Sequence, residues 1–240
     1  LGAEYPLPVA SQRYGTVPDS AWKLAKYDRK WTVADTVNAT IGQGYMLANP
    51  LQLAVMAARI GSGRAIVPRL LARRELPLAE PLDIHPEAMA FVRDAMMAVV
   101  NGGGTGGQAR ITVPGVLMAG KTGTAQVRRI TMGERRTGVL SDYATPFKLR
   151  DHSLFLGFAP AAAPRYACAV VLEHSGHIST AAPIARDALT WLFDPKRAEA
   201  TLAGLEKGWG GDIATRMAVQ AAEWRAARDA ARAPAPVPAT

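Results

Sequence analysis

The chain has 240 residues, of which 49% are hydrophobic and 20% are charged. These proportions exclude a wholly disordered chain, and no apolar run approaches the roughly 18 residues of a membrane span. Twenty-eight Lys and Arg against 20 Asp and Glu give a net charge of +8, which favours acidic partners such as an anionic polymer. The basic residues are scattered along the chain, so we predict no nucleic-acid-binding arm.

The first 100 residues predict helices separated by irregular chain. Residues 1–48 are interrupted by Pro and Gly and predict no long element. Asn49, followed by proline, fits the start of a helix over 50–60, because Asn caps helices and Pro suits the first turn. A short strand is predicted over 66–71. The spacing of apolar residues over 86–100 predicts another helix, which ends at a run of glycines.

The pattern then changes to short apolar segments bounded by Gly and Pro, which are typical of strands. We predict three of them, over 113–119, 153–159 and 166–173. The last two are separated by a short turn, so they are predicted to form an antiparallel hairpin.

Helices return toward the C-terminus. One is predicted over 183–193, and another from about residue 212 carries a narrow apolar stripe that we expect to pack back on the domain rather than dock a partner. The stripe consists of Ile213, Met217, Gln220 and Trp224, and its large apolar members are Ile213, Met217 and Trp224. The Ala-Pro repeats over 233–240 have polyproline character and predict a disordered tail.

Neither the single cysteine nor the histidines predict a metal or redox site. Cys168 lies in an apolar run, cannot close an internal disulfide, and is predicted to be a small buried side chain. Glu173, His174 and His177 have a spacing that a metal site could use, but they leave a strand into a Ser-Gly-His turn. We therefore predict no metal and no cofactor.

Residues 115–122, Gly-Val-Leu-Met-Ala-Gly-Lys-Thr, match the letters of the phosphate-binding P-loop. That loop needs flexible residues that turn their N–H groups inward, and a helix that follows. Here the intervening residues favour a strand, and Gly-Thr-Ala-Gln after Thr122 does not begin a helix. We therefore reject a nucleotide site and place Lys121 on a strand.

Within a strand, the same residues give a Lys-Thr-Gly sequence with a clear chemical use. Lys121 supplies a cation beside a site that must hold a carboxylate, and the hydroxyl of Thr122 can bond to that carboxylate. Gly123 has no side chain, so a substrate backbone could lie against the strand as though added to the sheet. Lys-Thr-Gly is the signature of penicillin-recognising serine enzymes, although three residues alone also fit an ordinary strand with an exposed lysine.

Four blocks in order resemble the class B penicillin-binding proteins, and most of all their elongation-type members. The blocks are 35–54, which contains Ile-Gly-Gln-Gly, 121–126 around Lys-Thr-Gly, 151–160 and 181–185. Together they cover about residues 15–193. The resemblance implies the α/β transpeptidase fold shared by penicillin-binding proteins and serine β-lactamases, an antiparallel sheet flanked by helices, here with its N-terminal part missing.

The resemblance also implies a D,D-transpeptidase that cross-links peptidoglycan stem peptides through an acyl-serine. In that scheme the strand residues Lys121, Thr122, Gly123 and Thr124 are catalytic. Lys121 supplies the cation, and Thr122 and Thr124 contact the substrate carboxylate. The backbone N–H of Thr124 would form one half of the oxyanion hole, a donor that lowers a barrier by about 3 kcal/mol.

Partners and location follow from the same resemblance. The implied partners are peptidoglycan stem peptides, β-lactams in the intact protein, and proteins of the cell-wall elongation machinery, with no nucleic acid among them. The intact protein would face the periplasm from the inner membrane. It would be held there by an N-terminal anchor that we expect to precede Leu1.

The family pattern has two further motifs, Ser-x-x-Lys and Ser-x-Asn. The only Ser-x-x-Lys runs from Ser20 to Lys23, and we do not accept it because charged residues follow it and it lies just before the Ile-Gly-Gln-Gly block; no Ser-x-Asn occurs. We therefore expect the nucleophile to lie outside this chain. The predicted domains are the C-terminal portion of a transpeptidase domain over 1–193, a helical extension over 194–232 and the tail over 233–240.

Two alternatives stay open. One is a non-catalytic domain that binds peptidoglycan or elongation proteins, and the other is a serine β-lactamase relative, against which the Ile-Gly-Gln-Gly block argues. The basic segment 128–150 could attract acidic stem peptides, but a solvated loop is the prediction for it.

Overall fold

The computed structural model describes six stretches of the chain: residues 1–8, 13–71, 77–128, 130–142, 144–176 and 180–232. Contacts divide the chain into two compact units, Leu1–Leu189 and Thr190–Thr240. None of the described helices is long and apolar enough to cross a membrane.

Within these stretches the chain forms eight α-helices and a three-stranded sheet. In chain order the helices are α1 (Ser20–Tyr27), α2 (Val33–Thr40), α3 (Pro50–Ser62), α4 (Pro86–Asn101), α5 (Met132–Thr137), α6 (Ala181–Phe193), α7 (Pro195–Gly208) and α8 (Ile213–Arg232). The strands are β1 (Ala119–Ala125), β2 (His152–Ala159) and β3 (Tyr166–Leu172). Short 3₁₀-helices lie at Gly107–Ala109 and Phe147–Leu149.

The N-terminal segment is more regular than the sequence predicts. Residues 1–48 contain α1 and α2, so the expectation of irregular chain is wrong there. The Asp19 side chain accepts a hydrogen bond from the Trp22 backbone N–H at 2.7 Å and starts α1, while Thr32 and Asp35 form a capping box at the start of α2. Each helix is only eight residues long, which is too short for apolar periodicity to reveal it.

The sheet is antiparallel throughout, in the order β1-β2-β3. The predicted hairpin of the last two strands is confirmed, but the strand predicted over 113–119 is displaced. Residues 113–116 form a turn, in which Gly115 has a φ of +75° and the Val116 N–H donates to the Val113 carbonyl oxygen at 3.1 Å. The strand therefore begins at Ala119 and runs through the Lys-Thr-Gly sequence.

No strand forms over the predicted range 66–71. Within the described chain this region contributes only an isolated bridge between Arg64 and Pro81. The apolar residues Leu70 and Leu71 are 61% and 80% exposed, so no second strand shields them as a buried strand would require.

The helices predicted over 50–60 and 86–100 are confirmed as α3 and α4. Asn49 and Gln52 form a capping box at the start of α3. Gln52 is buried, and its amide also bonds to the N-terminal segment: it accepts from the Gly15 N–H at 3.0 Å and donates to the Ala3 carbonyl oxygen at 3.2 Å. One buried side chain therefore starts the helix and holds the segment before it.

The core lies between the sheet and the two helices α3 and α4, which contact β2, β3 and β1. Its centre is Phe158, which is fully buried against Met96 and Ala119. Gly61 of α3 allows this packing, because a Cβ there would lie 2.9 Å from the Phe158 ring. The expectation of an α/β fold with an antiparallel sheet flanked by helices is confirmed.

Toward the C-terminus the structure adds one helix and differs from one expectation. The predicted helices correspond to α6 and α8, whereas α7 has no counterpart in the prediction. Ile213, Met217 and Trp224 of α8 are 63%, 62% and 65% exposed, whereas the sequence predicts a covered stripe. The predicted tail over 233–240 lies outside the described residues.

Phe158→Ala tests the assignment of the core. We expect this change to lower the free energy of unfolding by about 3–5 kcal/mol, because it leaves a cavity between β2 and the two helices. The control is Phe91→Ala, since Phe91 on α4 is 75% exposed, and it is expected to cost about 0.5 kcal/mol or less. Urea unfolding followed by circular dichroism measures both. Equal losses in the two variants would contradict the assignment.

Candidate functional site

The Lys-Thr-Gly sequence lies on β1, which pairs with β2 along one side. In the described structure β1 is an edge strand, so its other side is open. Lys121, Gly123 and Thr124 are exposed and Thr122 is half-buried. The structure therefore places all four predicted site residues on an accessible strand edge.

The open edge of β1 presents the backbone groups of Thr122 and Thr124. Gln43 Nε2 donates to the Thr124 carbonyl oxygen at 3.0 Å, and Lys121 Nζ donates to the Thr122 carbonyl oxygen at 2.8 Å. Both carbonyl groups thus point away from β2. Because the N–H and C=O of a residue in an antiparallel strand point to the same side, the N–H groups of Thr122 and Thr124 also face the open edge.

Side-chain donors lie beside these backbone groups. The hydroxyl oxygens of Thr122 and Thr105 are 2.9 Å apart, and Thr105 belongs to the glycine-rich segment that follows α4. The Lys121 ammonium group turns back along its own strand to the Thr122 carbonyl. One cation, two hydroxyls and two outward N–H groups suit an anionic or carbonyl-containing ligand.

Gly123 is not demanded by the fold of the strand. A Cβ at this position would meet only Leu154 Cβ, at an ordinary contact distance of 3.4 Å, and the φ of Gly123 does not lie in the left-handed region. The missing side chain therefore leaves the open edge free for another backbone to approach, which is consistent with the sequence argument.

Two residues of this region were missed by the sequence reasoning. Gln43 lies in the Ile-Gly-Gln-Gly block, where Gly42 and Gly44 have φ values of +76° and +75°. These left-handed glycines on both sides bring the Gln43 amide to the end of β1. The available clue was the pair of glycines. For Thr105 the available clue was also a run of glycines, which lies just before it. From the sequence, that run predicts only the end of the preceding helix.

A cleft of about 760 Å³ continues from the end of β1. Polar side chains supply much of its lining, among them Asp35, Asn38, Gln43, Gln126 and Arg128. The cleft offers room and hydrogen-bonding groups for the part of an extended ligand that lies beyond β1.

The Ser20-Ala-Trp-Lys23 sequence has a structural role. Ser20 is exposed at the start of α1, whereas Lys23 is 5% exposed and its ammonium group is bound by Asp35 at 2.5 Å. A lysine held as an ammonium ion by a carboxylate does not act as a base for a neighbouring serine. The pair instead ties α1 to α2.

Asp35 is the centre of this ion pair. It accepts hydrogen bonds from the Lys23 ammonium, and from the hydroxyl and the backbone N–H of Thr32. These donors lower the pKa of Asp35 from 3.8 to about 2, so the carboxylate is ionised at neutral pH.

The basic segment 128–150 is more ordered than the predicted solvated loop. It contains α5, and Arg128 forms an ion pair with Glu134, which also caps that helix through Thr131. The Thr131 N–H and the Arg128 guanidinium lower the pKa of Glu134 to about 2. Arg129 lies outside the described residues.

The other features singled out in the sequence are the P-loop match, the cysteine and the histidines. Lys121 lies within strand β1, whereas a P-loop lysine lies at the end of a loop that leads into a helix, so the P-loop is excluded. Cys168 is half-buried rather than fully buried, and its burial raises the pKa of the thiol to about 11. Among the described residues no group of three or more His, Cys, Asp or Glu could hold a metal, and His177 lies outside them.

Comparison with known proteins identifies relatives for most of the chain. The model of the penicillin binding protein transpeptidase domain matches residues 8–190. Peptidoglycan D,D-transpeptidase MrdA of Salmonella typhimurium is 37% identical over 196 residues, which cover 76% of this chain and 31% of the relative. MrdA of Acinetobacter baumannii is 33% identical over 211 residues, which cover 82% of this chain and 30% of the relative.

Solved structures give the same result. The complex of penicillin-binding protein PBP2 with MreC from Helicobacter pylori has a TM-score of 0.65 at 27% identity, covering 80% of this chain and 34% of that chain. PBP2 of Pseudomonas aeruginosa in complex with WCK 5153 has a TM-score of 0.58 at 34% identity, covering 75% and 37%. The chain therefore spans about a third of the length of these relatives.

Asp35→Asn tests the ion pair through its pH dependence. The folded-state pKa of Asp35 lies below its ordinary value, so the carboxylate stabilises the fold above about pH 4 and this contribution is lost as the pH falls toward 2. We expect the variant to be less stable than the wild type at pH 7, and the difference to vanish between pH 4 and 2. Urea midpoints at a series of pH values measure this.

The matched control for this change is Asp28→Asn. Asp28 is exposed and lies at the C-terminal cap of α1 with a φ of +51°, a conformation that Asn tolerates. It is expected to change the midpoint little at any pH. A constant difference between Asp35→Asn and the wild type from pH 7 to 2 would exclude the ion pair as its cause.

Proposed function

The chain belongs to the family of penicillin-binding protein transpeptidase domains, and from this we propose that it forms the Lys-Thr-Gly wall of a peptidoglycan D,D-transpeptidase active site. The reaction is the attack of a serine on a D-Ala-D-Ala stem peptide, release of D-Ala, and transfer of the acyl group to an amine of a neighbouring strand. The serine comes from outside this chain.

The open edge of β1 is the observation that carries the proposal. The outward N–H and C=O groups of Thr122 and Thr124 offer a peptide substrate the bonds of an added strand. Because Gly123 lies between them without a side chain, the substrate backbone can approach closely. Every edge strand has outward backbone groups, but an ordinary one does not need a glycine between them.

Each residue of the wall has a role in the proposed reaction. Lys121 provides a positive charge, and the hydroxyls of Thr122 and Thr124 bind the terminal carboxylate of the stem peptide. The Thr124 N–H donates to the oxyanion that forms on the attacked carbonyl, and one such donor stabilises the transition state by about 3 kcal/mol. The cleft beyond β1 takes the preceding part of the peptide.

The Gln43 amide donates a hydrogen bond to the Thr124 carbonyl oxygen. A peptide that adds to β1 needs this acceptor for one of its own N–H groups. A carbonyl oxygen has two lone pairs, so Gln43 either shares the acceptor or withdraws as the substrate binds.

The chain by itself is proposed to be catalytically inactive. It contains no Ser-x-Asn, and its only Ser-x-x-Lys joins an exposed serine to a lysine that Asp35 holds. The alternative, a non-catalytic domain that binds peptidoglycan, also predicts that the isolated chain is inactive. Acylation by a β-lactam distinguishes the transpeptidase from the non-catalytic domain only in a protein that also contains the missing serine.

We further propose a cell-wall elongation setting at the periplasmic face of the inner membrane. The support is the likeness to MrdA and to the Helicobacter pylori PBP2 whose complex with MreC is known. The net charge of +8 suits an acidic polymer such as peptidoglycan.

Fluorescent penicillin tests the assignment of the nucleophile. We expect no covalent label on the 240-residue chain and no change in its intact mass, under conditions in which a complete penicillin-binding protein is labelled. Ser20→Ala is the matched variant and should behave like the wild type. A label that disappears in Ser20→Ala would make Ser20 the nucleophile and contradict the proposal.

Lys121→Ala tests the carboxylate site. We expect N-acetyl-D-Ala-D-Ala to shift the backbone amide resonances of Thr122 and Thr124 in NMR titrations of the chain, and the variant to bind at least about tenfold more weakly because a charge-assisted contact is lost. The dipeptide carboxamide, which lacks the carboxylate, should shift these resonances much less.

Lys148→Ala is the control for net charge, because Lys148 is an exposed lysine of the basic segment. It should leave the dipeptide affinity unchanged. Equal weakening in both lysine variants, or shifts confined to residues away from β1, would contradict the role of Lys121.

A further inference from the structure

The exposed stripe on α8 is not explained by the transpeptidase site. α8 is 20 residues long, and the large apolar side chains of its stripe are exposed. Contacts with the preceding residues also stabilise the start of the helix. The Arg216 guanidinium donates to the Gly211 carbonyl oxygen at 3.1 Å and stacks 5.0 Å from the centre of the Trp209 ring. A well-anchored helix with an uncovered apolar stripe indicates a binding surface.

The stripe follows the heptad spacing of a coiled coil. Successive members are four, three, four and three residues apart, so they keep to one face of the helix and alternate between the two core positions of a heptad. These positions are Ile213, Met217, Gln220 and Trp224, and Ala227 continues the stripe by one further position. This spacing suits a partner that is itself a helix.

Charges beside the stripe suit a second copy of the same helix. Glu223 precedes Trp224, and Arg228 lies five residues after Glu223. In a parallel coiled coil these positions of opposite helices meet, so two copies would form the Glu223–Arg228 pair twice. Glu223 has no ion-pair partner in the described part of the chain, and Arg228 pairs with its exposed neighbour Asp229, a contact worth little.

Gln220 favours the same arrangement. In a parallel, in-register pair each core residue faces its own copy, so the two Gln220 amides can donate to and accept from each other. A polar residue in such a seam weakens association but specifies the register. The Arg228 guanidinium, 5.3 Å from the centre of the Trp224 ring, would cover the edge of the seam.

We propose that α8 is a dimerisation helix, through which two copies of this chain associate in a parallel, in-register pair. A membrane surface fits less well as the occupant, because from Ile213 to Asp229 the helix has three Arg against two acidic residues, a net charge of only +1. The seam is short, since Ile213 to Ala227 extends over about 21 Å. The association is therefore weak and depends on concentration.

Charge exchange tests the pairing. Sedimentation equilibrium of the full chain should show a monomer–dimer equilibrium. Glu223→Arg and Arg228→Glu should each raise the dissociation constant at least about tenfold, because like charges then meet across the seam, and the double variant should return to within about threefold of the wild type. Ala222→Glu, on the opposite face of α8, is the matched control and should not alter the constant.

Oxidative cross-linking tests the register. In a Cys168→Ala background, Ala227→Cys should form a disulfide-linked dimer, because the two introduced thiols face each other in the parallel arrangement, and Ala222→Cys should not. Circular dichroism of each variant confirms that α8 is intact. A monomer at every concentration, a double variant that fails to recover, or a dimer without the Ala227→Cys cross-link would overturn the proposal.

Discussion

The antiparallel pairing of β1 with β2 is the constraint on which the candidate site depends, because it decides which groups of β1 face the open edge. Backbone groups alternate along a strand, so a slip of one residue would turn the Thr122 and Thr124 N–H groups toward β2. A slip would also move Ala119 off its position opposite Phe158 and break the core. The chemistry of the edge and the packing of the core are therefore fixed by the same register.

Two glycines help to hold that register. Gly120 and Gly157 lie opposite each other in the two strands, and the Phe155 ring covers both. A Cβ at Gly157 would lie 2.7 Å from the Ala119 carbonyl oxygen, and a Cβ at Gly120 would lie 2.8 Å from the Leu156 carbonyl oxygen. Side chains at either position would push the strands apart. The glycine before Lys121 thus serves packing, whereas Gly123 serves access.

Long periodic elements and the hairpin could be predicted from the sequence, and the short or edge elements could not. α3, α4 and α8 have enough turns for their apolar spacing to show. β1 was misplaced because the apolar run over 116–118 resembles a strand, while the strand itself continues through polar residues whose backbone bonds to β2 supply its stability. At an edge, apolar side chains are not required on both faces.

The position of the four candidate site residues on one strand was predictable from the sequence, but their contacts were not. Lys121 to Thr124 were identified by type and order. The bond from Gln43 to Thr124 joins residues 81 positions apart, and no local pattern encodes such a contact. Lys23 is the opposite case. It matches the Ser-x-x-Lys motif in sequence, but its ammonium group is bound by Asp35, twelve residues further along the chain, and so has a structural role.

The two surfaces for which binding is proposed, the edge of β1 and the stripe of α8, differ in how they would select a partner. The edge of β1 offers backbone hydrogen bonds, which are directional, so an extended peptide is oriented by the strand itself and by the Lys121 charge. The stripe of α8 offers apolar side chains, which attract without direction. Selectivity on α8 therefore has to come from Gln220 in the stripe and from Glu223 and Arg228 beside it, and these few polar groups are what make a second copy a better partner than another apolar surface.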